Sequence, residues 1–68
     1  MKIDFKFNLR DVIDWYELGQ KMSCIIIGCN YDFHRGKYYE LFMLNGENKF
    51  DVIEKKEEEI YPYEINNY

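Results

Sequence analysis

The chain has no alanine and no threonine, a single proline, a single histidine and only two cysteines. Missing Ala and Thr, with Ile, Lys, Asn, Glu and Tyr in excess, suits an AT-rich coding sequence. A structural zinc site needs four ligands, and Cys24, Cys29 and His34 together make three. Long apolar runs are also missing. None is longer than the four residues of 24–27, far short of the ~20 residues of a membrane span, so no membrane partner is expected. Nor are cations clustered. The nine Lys and Arg are scattered from Lys2 to Lys56, and only Lys55 and Lys56 adjoin. A surface that binds nucleic acid through its phosphates needs clustered cations to release counterions, so direct nucleic-acid binding is not expected. The N-terminus opens on a polar-alternating pattern without a signal-peptide core, which points to the cytoplasm.

What is present is aromatic and acidic. Phe, Trp and Tyr make up 19% of the 68 residues, and the net charge is −4. A domain this short buries only roughly 60% of the surface its unfolded chain exposes, so its rings must carry much of the core. Each buried ring removes on the order of 150–250 Å² from water. The acidic balance favours a basic partner, or serves only to keep the chain dispersed.

The pattern between residues 24 and 54 is strand, turn, strand, turn, strand. Upstream, residues 2–8 alternate, with Ile3, Phe5, Phe7 and then Leu9 on one side, as in a half-buried strand. Residues 9–18 read two ways. Leu9, Val12, Ile13 and Tyr16 fit a helix capped by Asn8 and closed by Gly19; alternatively Asp11-Val12 opens a strand that turns at Gly19. Residues 22–33 read as a long strand, bulged or bent at Gly28. His34-Arg35-Gly36-Lys37 reads as a hairpin loop, 38–44 as a strand, Asn45-Gly46 as a two-residue turn and 49–55 as another strand. Pro62 permits only a sheet edge or a turn, and 65–68 either add an edge strand or fray. No repeat, linker or second domain is visible, so residues 1–68 read as one domain.

Phe7, Leu9, Asp11-Val12, Ile26-Ile27-Gly28, Tyr39, Leu41, Asn45-Gly46, Phe50, Val52, Glu54 and Ile60 together form a pattern. It resembles small SH3-like or Tudor-like β-barrel proteins, many of them encoded by phages and prophages. The likeness covers about residues 5–60. It implies a mostly-β fold, a barrel of five to six strands; the alternative is an α+β domain, βαβββ, with 9–18 helical. One departure stands out: that group usually has glycine before the Asp-Val pair, where this chain has Arg10.

No catalytic constellation is visible, and no cofactor is expected. Five residues apart in an extended strand, Cys24 and Cys29 would point to opposite faces ~16 Å apart, too far for a disulfide; free thiols are expected. His34 has no nucleophile or orienting partner at triad spacing and is either a solvated loop residue or a contact. Tyr31, Phe33 and Tyr38 flank the His34-Arg35 loop and could form an aromatic platform for a cationic ligand or a base. The 38–44 strand is apolar on both faces. Tyr38, Phe42 and Leu44 therefore need cover from within the chain, from a second copy or from another partner. Glu57, Glu58 and Glu59, with Glu64, read as a solvated strand end or as an acidic patch.

These features favour a non-catalytic binding module. The phage resemblance extends that to an inhibitor of a host protein, one of defence or of nucleic-acid handling. Two alternatives stand beside it: an oligomeric barrel that sequesters a nucleotide signal, with Arg35, Lys37, Tyr31 and Tyr38 lining the pocket, and a structural virion subunit.

Overall fold

The computed structural model describes residues 3–63. Five strands, β1 (Val12–Glu17), β2 (Gln20–Asp32), β3 (Gly36–Met43), β4 (Val52–Lys56) and β5 (Tyr61–Pro62), form one antiparallel sheet in the order β4-β3-β2-β1-β5. A single 3-10 turn, Glu57–Glu59, leads into β5. The protein is therefore mostly β, but the sheet is open. Its outer strands β4 and β5 do not pair with each other, so a closed barrel is not formed by the described residues. The expected strand beyond 64 lies outside them.

The extended reading of 9–18 holds. Arg10 sits at φ 73° and breaks any helix before it starts. The β-branched and aromatic run that follows, Val12 to Tyr16, pairs with β2 instead. Leu18 and Gly19, both at positive φ (50° and 80°), close the β1–β2 hairpin between Glu17 and Gln20. Two consecutive positive φ angles define the turn whose twist matches the strands.

Three expectations fail. Residues 3–8 are not a strand, although their alternation survives: Phe5 and Phe7 turn toward the core while Asp4 and Lys6 face out. Their backbone is held by side chains rather than by a ladder, and Leu9 swings outward, 58% exposed. Asn45-Gly46 is not a two-residue turn. Only Gly46 has positive φ, and Asn45 Oδ1 accepts the Ser23 N–H at 3.0 Å, tying the residue to β2 instead. Finally, Cys24 and Cys29 share a face. The bulge expected at Gly28 is real: the β2–β3 register shifts between Ile26 and Gly28. The extra residue reverses the alternation, so Cys24, Ile26 and Cys29 face the same side as Met43, Leu41 and Tyr39. Both thiols are free.

A repeat not expected from the sequence also emerges. Residues 8–13, NLRDVI, and 48–53, NKFDVI, share N-x-x-D-V-I and fold alike. In each, the Asp N–H donates to the Asn carbonyl (3.1 and 2.9 Å), and the residue before Asp sits at φ 73° or 74°. In each, two residues oppose one partner. Arg10 N–H donates to Ile26 O and Ile26 N–H to Asp11 O; Phe50 N–H donates to Met43 O and Met43 N–H to Asp51 O. This is the bulge whose first position normally takes glycine.

The inner face is the core. Ile13, Trp15, Met22, Cys24, Ile26, Tyr39, Leu41 and Met43 are buried there, covered by Phe7 and Ile60. Tyr39 ties the cover down. Its O–H donates to Glu57 Oε2 at 2.6 Å and its oxygen accepts the Phe7 N–H at 3.2 Å, while Phe5 and Phe7 pack edge-on against its ring. Among the described residues, no helix is long and apolar enough to cross a membrane.

Candidate functional site

With the inner face filled, the outer face is where this sheet can meet another molecule. Cross-strand pairing puts Val12, Ile25, Phe42 and Val52 in one row across β1, β2, β3 and β4. At ~4.8 Å per strand the row runs roughly 14 Å. Val12 is 37% and Val52 55% exposed, and Ile25 and Phe42 are half-buried. Phe50 stacks on Phe42 with ring centroids 5.9 Å apart and remains 63% exposed, while Ile27, in the bulge, is 47% exposed. The two N-x-x-D-V-I turns build this row from both ends, since each delivers its valine to the outer face.

The next outer row is charged. Glu40 and Glu54 lie directly opposite each other on β3 and β4. Like charges in that position repel. Glu54 is relieved by Arg35 at 3.2 Å. Glu40 accepts only a neutral hydrogen bond, from Asn30 Nδ2 at 3.2 Å. Its side chain lies over Gly28, where an added Cβ would come within 3.2 Å of the Glu40 carboxyl carbon.

The residues singled out from sequence are distributed differently. Register places Tyr38 opposite Asn30 on the outer face, whereas Tyr31 pairs with Lys37 on the side of Cys29 and Tyr39. Tyr31 and Tyr38 thus project from opposite faces and do not make one platform. The Arg35 guanidinium covers the Tyr38 ring at 3.8 Å. Phe33 is 87% exposed and meets His34 edge-on, in a loop held by Asp32 Oδ1, which accepts the His34 and Arg35 N–H groups at 2.7 and 3.2 Å. Phe42 belongs to the apolar row. Leu44 is half-buried just beyond it, where its N–H donates to Ser23 O.

The acidic run is not a uniform patch. Glu57 turns into the fold. Burial pushes its carboxyl up, but the Tyr39 O–H, the Lys6 N–H at 2.9 Å and Lys37 at 3.7 Å outweigh this and hold it below the usual carboxylate range. The same contact, after burial itself, pushes the Tyr39 phenol well above its ordinary value. Glu59 Oε1 accepts the Lys56 N–H at 2.9 Å and caps the 3-10 turn. Glu58 is exposed, and Glu64 lies outside the described residues.

Val12, Ile25, Ile27 and Val52 are not among the site residues expected from the sequence. The repeated N-x-x-D-V-I is the signal that finds Val12 and Val52, since it sets the phase of β1 and β4 together; Ile25 follows from its pairing with Val12. No group of three or more potential metal ligands occurs among the described residues. A groove of ≈ 440 Å³ lies at the turn end of the β1–β2 hairpin, between Glu17, Gln20 and Met22 on one side and Gly46, Glu47 and Asn48 on the other. Comparison with protein families, with characterised proteins and with solved structures finds no match.

Proposed function

We propose that this chain is a non-catalytic binding module that docks on another protein through the outer face of its sheet. The observation that carries the reading is the row Val12–Ile25–Phe42–Val52 with Phe50 stacked at its end. Apolar side chains in one line across four strands, on the face away from the core, need a reason beyond folding. Phe50 adds to this. A bulky residue at φ 74° costs stability, and strain of this kind concentrates where a side chain must be held in place for contact.

The strand order β4-β3-β2-β1-β5, with a 3-10 turn before the short last strand, supports an SH3-like architecture left partly open. In that reading the phage resemblance makes the partner a host protein in the cytoplasm, and binding inhibits it. Nucleotide sequestration has less support: Arg35 lies on the Tyr38 ring face a base would use and is already paired with Glu54. A virion role has no specific observation behind it.

The test is affinity capture from a host lysate with wild-type protein and with Val52→Lys side by side. Val52 is an exposed outer position, so the variant should unfold at the wild-type temperature. A protein retained by wild type and released by Val52→Lys is the expected outcome. Identical capture by both would remove the outer face from consideration.

A further inference from the structure

The chemistry of the partner can be read from what flanks the apolar row. Glu40 and Glu54 sit one outer row away, about 7 Å along the strands, given two residues per row. The two residues pair across β3 and β4; the Glu40 carboxyl leans toward β2, where it accepts from Asn30, and among the described residues Glu40 is in no ion pair. Gly28 leaves the space in which the Glu40 side chain lies flat against the sheet beside the row. Arg35 reaches only Glu54, and it is anchored on Tyr38. One acidic site beside an apolar strip therefore lacks a cation.

We infer that the outer face takes a protein segment presenting an apolar patch roughly 14 Å long with a Lys or Arg on one flank, the cation seating on the Glu40 carboxylate beside Glu54. The inference deepens the binding-module reading and rests on it. Apolar contact along Val12, Ile25, Phe42 and Val52 supplies most of the affinity; the carboxylate pair sets orientation and partner choice. A cation there also relieves the Glu40–Glu54 repulsion, which an acidic or neutral segment cannot do. The net charge of −4 steers the same class of partner toward the face.

The probe is a random peptide library displayed on yeast, selected against wild type, Val52→Lys and the double variant Glu40→Gln/Glu54→Gln. Thermal unfolding of each variant serves as the fold control, and the double variant should hold or gain stability. The expected result is a consensus of aliphatic or aromatic residues with a flanking Lys or Arg. Synthetic peptides of that consensus should bind the double variant about three- to tenfold more weakly than wild type, with the salt dependence reduced. Val52→Lys should abolish the binding. An apolar consensus without a cation, or equal affinity for the double variant, would overturn the inference while leaving the face as the site. Peptides that bind Val52→Lys as well as wild type would overturn the binding-face reading itself. Concentration-dependent dimerisation of the wild type that Val52→Lys abolishes would assign the face to a second copy of the chain and overturn the heterologous partner.

Discussion

Arg10 and Phe50 hold the same left-handed backbone angle, φ 73° and 74°, in two copies of one turn forty residues apart. Neither is glycine, and each opposes a single residue of a neighbouring strand, Ile26 or Met43. The shared geometry, repeated with different side chains, sets the phase of β1 and of β4.

Relieving the strain should stabilise the fold. A non-glycine residue in the left-handed region costs roughly 1–2 kcal/mol, partly offset by the extra freedom glycine has when unfolded. Arg10→Gly should therefore gain about 1 kcal/mol, or roughly 4–8 °C in Tm for a domain of this size. Phe50→Gly should gain less, because it also removes the ring stacked on Phe42. Thermal melts of the two variants check the order, and a loss of stability in Arg10→Gly would contradict it.

The β1–β2 turn offers a parallel gain. Leu18 is fully exposed at φ 50°, the first position of a turn that prefers Asn-Gly. Leu18→Asn should raise the denaturant midpoint by the equivalent of about 0.5–1 kcal/mol without changing the slope. Urea titration followed by tryptophan fluorescence reads this directly, since Trp15 is buried.

The Tyr39–Glu57 contact should make stability depend on pH at both ends. The Glu57 carboxyl is held low, so its stabilisation is present above the unfolded value of about 4.3 and is lost as pH falls through the lower folded value. Glu57→Gln should cost about 1–3 kcal/mol at neutral pH, and its deficit should shrink in acid. The Tyr39 phenol is pushed up, so its contribution is complete below about pH 10 and is lost as pH rises toward the folded value. Tyr39→Phe should flatten that alkaline decline. It should also lower neutral stability, because the Phe7 N–H loses its acceptor. A pH series of unfolding free energies tests both limbs.

The two thiols should differ in kinetics. Burial pushes both up, Cys24 further hidden beneath the Trp15 Nε1–H at 3.2 Å and Cys29 also near Asp11. A thiol reagent at pH 8 should modify Cys29 slowly and Cys24 only on the timescale of unfolding. Rapid double modification of the folded protein would contradict the packing of Cys24 against Met43.

Much of this molecule was legible in its sequence where a local rule decided the outcome. Gly28 marked the bulge, Gly19 the first hairpin, and Pro62 the edge. Alternation along residues 38–44 puts Tyr39, Leu41 and Met43 on one face, and all three are fully buried. What local pattern could not decide was set at a distance. Residues 3–8 alternate like a strand but are held by the side chains of Tyr39 and Glu57, 32 and 51 residues away in sequence, rather than by a ladder. The candidate site shifted for the same reason. Tyr31 and Tyr38 flank one loop, yet the three-residue loop that pairs Asp32 with Gly36 puts Tyr31 opposite Lys37 and so sends the two rings to different faces. Val12 and Val52 line up only because two turns forty residues apart share a geometry.

The two borders of the open sheet have one more consequence. β5 is two residues long and one of them is Pro62, which has no N–H to offer; β4 carries Lys55 and Lys56 along its free margin. An incoming extended chain therefore finds neither a complete row of donors on one side nor a neutral strip on the other. Among the described residues, an open sheet with an oily stripe on its back has borders that work against self-templated fibrils.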